Sequence, residues 1–195
     1  MRFLRIWMTG YAGPARLVDA LWDCPAPLYG VLGQGLRALL DALLLYLPLS
    51  LMGRQPSTPS YLTFVPTASY YRAAVVLAPA ALMVQWFFLC AVVHVVLRLS
   101  GRPSDIDQIM NVTGMAALVV GAFLVGWDWG WIAVGLDNAS WLGVSHLVLD
   151  IWGMVIVVLG LKRLLGVPLW LGIVLQVIWI ALGLPLAVLL MRAPV

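Results

Sequence analysis

The chain has 195 residues, 64% hydrophobic and 10% charged, with a formal net charge of +3 and a mean hydropathy of +1.03. Soluble domains are about 45–50% apolar and about 25% charged, and a chain this small buries only part of its surface from water. These values exclude a soluble enzyme, a nucleic-acid-binding module and a disordered tail, and point to an integral membrane protein.

Residues 1–28 interleave Arg2, Arg5, Arg16, Asp19 and Asp23 with Phe3, Leu4, Ile6, Trp7, Leu17, Leu21 and Trp22. This pattern predicts an N-terminal amphipathic segment lying in the membrane interface. Its clearest helix covers 14–23, started by Pro14 and carrying Leu17, Val18 and Leu21 on one face. MRFLRIWMTG has neither a long apolar run nor a small-residue cleavage site, so it is not read as a signal peptide. Pro25 and Pro27 end the segment.

Residues 29–195 hold five apolar stretches, at about 29–52, 73–99, 106–126, 141–161 and 167–191. Each is close to the roughly 20 residues that cross a bilayer as a helix. GRQPSTPS, SGRPSD, GWDWGW and the Lys162–Arg163 pair separate them. The predicted fold is all-α: a polytopic transmembrane bundle of five spans behind the interfacial segment. The third span has the most polar start, with Asp107, Gln108 and Asn111, and Ser104 or Asp105 is its expected N-cap.

Lys and Arg in the short loops set orientation. With the N-terminus inside, Arg2, Arg5, Arg16, Arg98, Arg102, Lys162 and Arg163 are internal, whereas Arg54, Arg72 and Arg192 are external. This predicts a cell-membrane protein with a cytoplasmic N-terminus and an outer C-terminus, which in a bacterial cell means the inner membrane. The 127–141 segment has no base, contains Asp128 and Asp137, and reads as an outer loop. Trp127, Trp129, Trp131 and Trp141 then form an aromatic belt. The 53–72 loop offers Tyr61, Phe64, Tyr70 and Tyr71, which either lie on the membrane surface or dock another subunit.

Ionisable residues inside spans are expensive and therefore mark functional candidates. Arg37 and Asp41 are spaced i, i+4 on the first span, as are His146 and Asp150 on the fourth, so each pair shares a face. At 1.5 Å per residue, Asp41 lies roughly 16–18 Å from the inner end of its helix and Asp150 about 12–14 Å from the outer end. Both reach mid-membrane, so Arg37, Asp41, His146 and Asp150 cluster if the first and fourth helices touch. Such a cluster serves either as a proton or cation path or as a polar clasp that sets helix register. His94 and His146 are also candidate haem or pigment ligands, but they fall at opposite ends of their spans and so do not flank one metal. Cys24 and Cys90 form no CxxC or Cys/His cluster. No nucleophile–base pair, P-loop or metal cluster is present, so neither enzyme activity, a cofactor nor a metal is expected.

Three stretches carry a resemblance to a known family: WDCPAPLYGVLGQGLRALLDALLL, FFLCAVVHVVLRLSGRPSDIDQIMNVTGMAALVVG (87–121) and WGMVIVVLGLKRLLGVPLWLGIVLQVIWIALGL (152–184). They resemble, in order, the entry to the first span, the second-to-third span connection and the final helical pair of Yip1-domain proteins. The resemblance implies a five-span fold with a cytoplasmic N-terminus. It is closest to short prokaryotic-type members, for which it supplies no biochemical role. Longer eukaryotic members have N-terminal segments that engage trafficking GTPases, and the third span here lacks the Pro often found in the family.

Three functions follow as expectations. The first is a non-catalytic scaffold or accessory subunit, packing in the bilayer against other integral membrane subunits through Gly114, Ala117 and Gly121. The second is proton, ion or small-solute transport through the charged cluster. The third is a haem- or pigment-holding subunit.

Overall fold

Uninterrupted apolar runs bounded by Gly, Pro and polar turns fold as long helices, because hydrocarbon offers the backbone no partners other than its own. The computed structural model describes residues 2–24, 26–136 and 138–190. Among these the helices are α1 (Arg2–Ala12), α2 (Pro14–Leu21), α3 (Leu28–Leu51), α4 (Tyr70–Leu99), α5 (Ile106–Ala133), α6 (Ala139–Leu165) and α7 (Leu169–Leu190). No strand forms among the described residues. The five helices α3–α7 are long and apolar enough to cross a membrane, which makes the chain compatible with a multi-pass membrane protein. Pro25, Asp137, Met191 and Arg192, each used in the sequence reading, lie outside the described residues.

The third span, α5, is the centre of the bundle. In its apolar window 78% of residues are buried within the protein, against 39% or less in every other span. Its polar start is the reason it can sit there. Asp105 caps it, Oδ1 accepting from the N–H groups of Asp107 (2.9 Å) and Gln108 (3.3 Å). Fully buried Asn111 accepts from the Gly30 N–H (2.9 Å) and donates to the carbonyls of Cys24 (3.2 Å) and Ala26 (2.8 Å). One carboxamide thereby satisfies an orphan donor in the first turn of α3 and two carbonyls of the preceding loop. Asn111→Leu leaves all three without this partner. The Cys24 carbonyl keeps Gln108 Nε2 at 3.4 Å, so two groups are orphaned and the expected loss is about 2–6 kcal/mol at about 1–3 kcal/mol each, read as a lower melting temperature in detergent.

α3 runs alongside α5 at backbone contact. A Cβ built on Gly30 would overlap the Met110 carbonyl, one on Gly114 would overlap the Gly30 backbone, and one on Gly33 would lie 2.6 Å from the Gly114 oxygen. Further along, the aliphatic stem of Arg37 lies over Gly121. Gly114 and Gly121 are thus enclosed by the chain's own first span, so they are not the partner-contact surface expected from sequence; Ala117 between them lines an internal cavity. Tyr70 and Tyr71 are 2% exposed and belong to the core near Leu45 and Leu49, whereas Tyr61 and Phe64 are 62% and 72% exposed.

The N-terminal segment is helical, as its amphipathic pattern predicts, with α2 on the stretch started by Pro14. It forms two helices joined at Gly13, and their shared apolar face covers the bundle. Ile6, Leu17 and Leu21 join Ile109, Met115 and Val119 of α5 and Ile156 and Leu161 of α6 in one core. Phe3 stacks on Tyr29 near the start of α3, while the Gly10 carbonyl accepts from Trp152 Nε1 (3.1 Å), midway along α6. On the return, Asp19 pairs with Arg163 at 2.6 Å. The hairpin therefore runs beside the spans for about half their length. Burial pushes the Cys24 thiol up, so less of it is thiolate at pH 8 and its attack on maleimide is slow. With Cys24 and Cys90 only 4% and 1% exposed, neither is expected to react with a water-soluble maleimide until the protein is unfolded; labelling followed by intact-mass measurement checks this.

Candidate functional site

The site begins in an irregularity of α3. Pro48 has no N–H, so it cannot donate to the Leu44 carbonyl as helix geometry requires. The helix widens there into a π-turn over Ala42–Tyr46, and the indole Nε1 of Trp129 donates to Leu44 O at 2.7 Å. This widening follows directly on Asp41, and Asp41, Leu45, Tyr46 and Leu49 line one wall of a cavity.

The cavity measures about 360 Å³ and is bordered by all five spans. Arg37 and Asp41 enter from α3 as an ion pair, with side chains 16% and 8% exposed. The two share a face, as the i, i+4 spacing predicts, and that face is turned into the bundle, with the Arg37 stem on Gly121 of α5. From α6 come His146 and Asp150. The three carboxylate-bearing spans meet through this cavity with the central α5 between α3 and α6, so direct packing of the first span on the fourth is not what joins them.

Asp128 is the residue the sequence reading missed. Read as a loop acid, it lies within α5, which continues through GWDWGW to Ala133 and ends before Gly135 at φ +74°. Single glycines inside an otherwise apolar helix do not stop it. Asp128 is 8% exposed, and its Oδ1 lies 2.7 Å from Nε2 of His146. The available signal was the seven-residue spacing of Gly114, Gly121 and Asp128, which repeats one helix face. The tryptophans expected as a loop belt are helical too: Trp127 donates to Ser145 Oγ at 2.8 Å, and Trp131 lines the cavity. Trp141, 65% exposed, stands in the first turn of α6.

Two of the acids are therefore paired, Asp41 with Arg37 and Asp128 with His146. Asp150 makes no hydrogen bond or ion pair with any described residue. Gln176 on α7, 7% exposed, has an amide Nε2 with no acceptor, and the Trp131 indole N–H is in the same condition. Gln85 is satisfied, donating to Gly183 O at 3.1 Å. Such a set accepts or gives up protons and hydrogen-bonds a polar guest; it contains no activated nucleophile.

His94 takes no part. Its Nδ1 lies 2.8 Å from Ser104 Oγ, at the opposite end of the bundle from the His146–Asp128 pair. No iron reaches both imidazoles. Among the described residues no group of three or more His, Cys, Asp or Glu side chains converges in a way that holds a metal ion. No known protein family model, curated protein or solved structure matches this chain, and nothing in these comparisons identifies a Yip1 domain.

Proposed function

We propose that this chain is a multi-pass membrane protein that takes a small solute or ion into its central cavity and passes it across the bilayer. The observation that carries this reading is Asp150: a carboxylate that no described residue hydrogen-bonds or pairs with, opening into a mid-membrane cavity that also holds two paired acids. An ionisable group at that depth is costly unless it has work to do. Placement in a bacterial inner membrane with a cytoplasmic N-terminus and an outer C-terminus is part of the proposal, supported by the basic residues gathered at the α4–α5 and α6–α7 turns. In reconstituted vesicles the parent protein is expected to conduct protons or cations, and Asp150→Asn and Asp41→Asn to reduce that flux severalfold. A parent without flux, or variants with parental flux, removes the reading.

The accessory-subunit reading remains the second. Enclosure of Gly114 and Gly121 by α3 deprives it of its small-residue contact surface, and its remaining support is the exposed Tyr61 and Phe64 on the α3–α4 loop. Purification in mild detergent decides it: a partner membrane protein retained at fixed stoichiometry supports it, and a chain that elutes alone overturns it.

A further inference from the structure

We infer that the cavity takes a small monovalent organic cation, an amine with an apolar body, which displaces a proton from Asp150. The inference rests on the transport reading above and supplies the substrate class for the same cavity. Its first support is charge. The titratable groups lining the cavity are Arg37, Asp41 and Tyr46 from α3, Tyr71 from α4, Asp128 from α5, and His146 and Asp150 from α6, with none from α7. Arg37 is balanced by Asp41, and His146, when protonated, by Asp128. Asp150 is left over, so with both pairs balanced the cavity has one acid to spare and no unbalanced cation. If His146 is neutral, Asp128 adds a second negative charge and the preference for a cation increases.

The second support is independent of the acids. The remaining walls include Trp86, Trp131, Trp179 and Tyr46, faces that attract a cation through their ring quadrupoles. A metal ion is a poor fit, because hard cations need a convergent set of oxygen ligands that the described residues do not assemble. A volume of about 360 Å³ falls in the range of about 300–1,000 Å³ typical of small-molecule sites.

The exchange balances in charge. A carboxylate bare in this setting is costly, so Asp150 holds a proton in the absence of the guest. One proton leaves its carboxyl group as one monovalent ammonium arrives, and the cavity keeps the same net charge.

The test uses the full chain in detergent with three probes of similar size: phenethylamine, 2-phenylethanol and phenylacetate. Calorimetry in two buffers of different ionisation enthalpy gives affinity and protons released. Phenethylamine is expected to bind the parent at pH 7.5 with release of about one proton, by linkage. Asp150→Asn is expected to weaken it at least about tenfold and to release none, because the ammonium loses its buried counter-charge; Asp150→Glu is expected to retain both properties. The proton count on the parent protein stands independently of whether a variant folds. Equal or tighter binding of phenylacetate or 2-phenylethanol overturns the cation assignment and leaves the transport reading in place. Parental affinity in Asp150→Asn overturns the role of Asp150. Absence of binding by all three probes, together with vesicles that show no flux, overturns both the inference and the reading beneath it.

Discussion

Gly114→Ala is expected to destabilise the protein by about 3 kcal/mol or more, and Gly30→Ala by a similar amount. Overpacking a well-packed core typically costs about 1–3 kcal/mol where side chains can move aside. Here the new methyl group meets backbone: Gly30 faces the Cβ position of Gly114, and Met110 and Asn111 face that of Gly30. Neither helix can yield without separating the α3–α5 pair, and Asn111, which ties the start of α3 to α5, lies in the same contact. Gly35→Ala and Gly126→Ala are the matched controls on the same two helices, since nothing lies within 4 Å of either Cβ position. Both controls should leave stability unchanged or raise it by up to about 1 kcal/mol, because alanine favours the helix. Thermal unfolding in one detergent compares all four variants, and similar melting temperatures for Gly114→Ala and Gly126→Ala would refute the close-contact account.

Arg37→Leu is expected to cost more than Asp41→Leu, by about 3 kcal/mol. Removing one partner of a buried pair costs about 3–5 kcal/mol, because the other charge is left uncompensated. The two removals are not equivalent in this cavity. Without Asp41, Arg37 still borders a space lined by Asp128 and Asp150 and has a long stem with which to reach them. Without Arg37, three acids, Asp41, Asp128 and Asp150, share the cavity with one imidazole, and Asp41 has no cation beside it. The stem of Arg37 also covers Gly121, so its loss opens a packing gap beside the stranded acid. For a chain of this size the difference amounts to on the order of 10 °C in melting temperature. The reverse order in the same assay would contradict the pairing.

The polar site was legible where it depends on spacing along one helix. Arg37 and Asp41 are neighbours on α3 in any packing, because residues four apart share a face. The same rule links His146 and Asp150 on α6, yet it says nothing about which of them finds a partner. His146 bonds Asp128, a residue 18 positions earlier on another span, and Asp150 is left to the cavity. Asp128 was obscured by its surroundings. Tryptophans, glycines and an acid look like a loop at the membrane surface, whereas α5 continues through them because its neighbours take up the indole N–H groups of Trp127 and Trp129.

The amino-acid sequence by itself determined the all-helical class, the five long apolar helices, a cap at Ser104 or Asp105 and the shared face of Arg37 and Asp41. These follow from transfer free energies and from interactions reaching no more than about four residues along the chain. Only the tertiary structure decided that α5 is central, that Gly114 and Gly121 serve the chain's own packing, and that α1 and α2 fold against the spans. It also decided that three spans contribute charge to one cavity. Between apolar helices in lipid there is little hydrophobic preference for one contact over another, so shape and a few buried hydrogen bonds select the partners. That selection depends on residues such as Gly30 and Met110, or Cys24 and Asn111, which lie more than 75 positions apart in the chain yet meet in the fold.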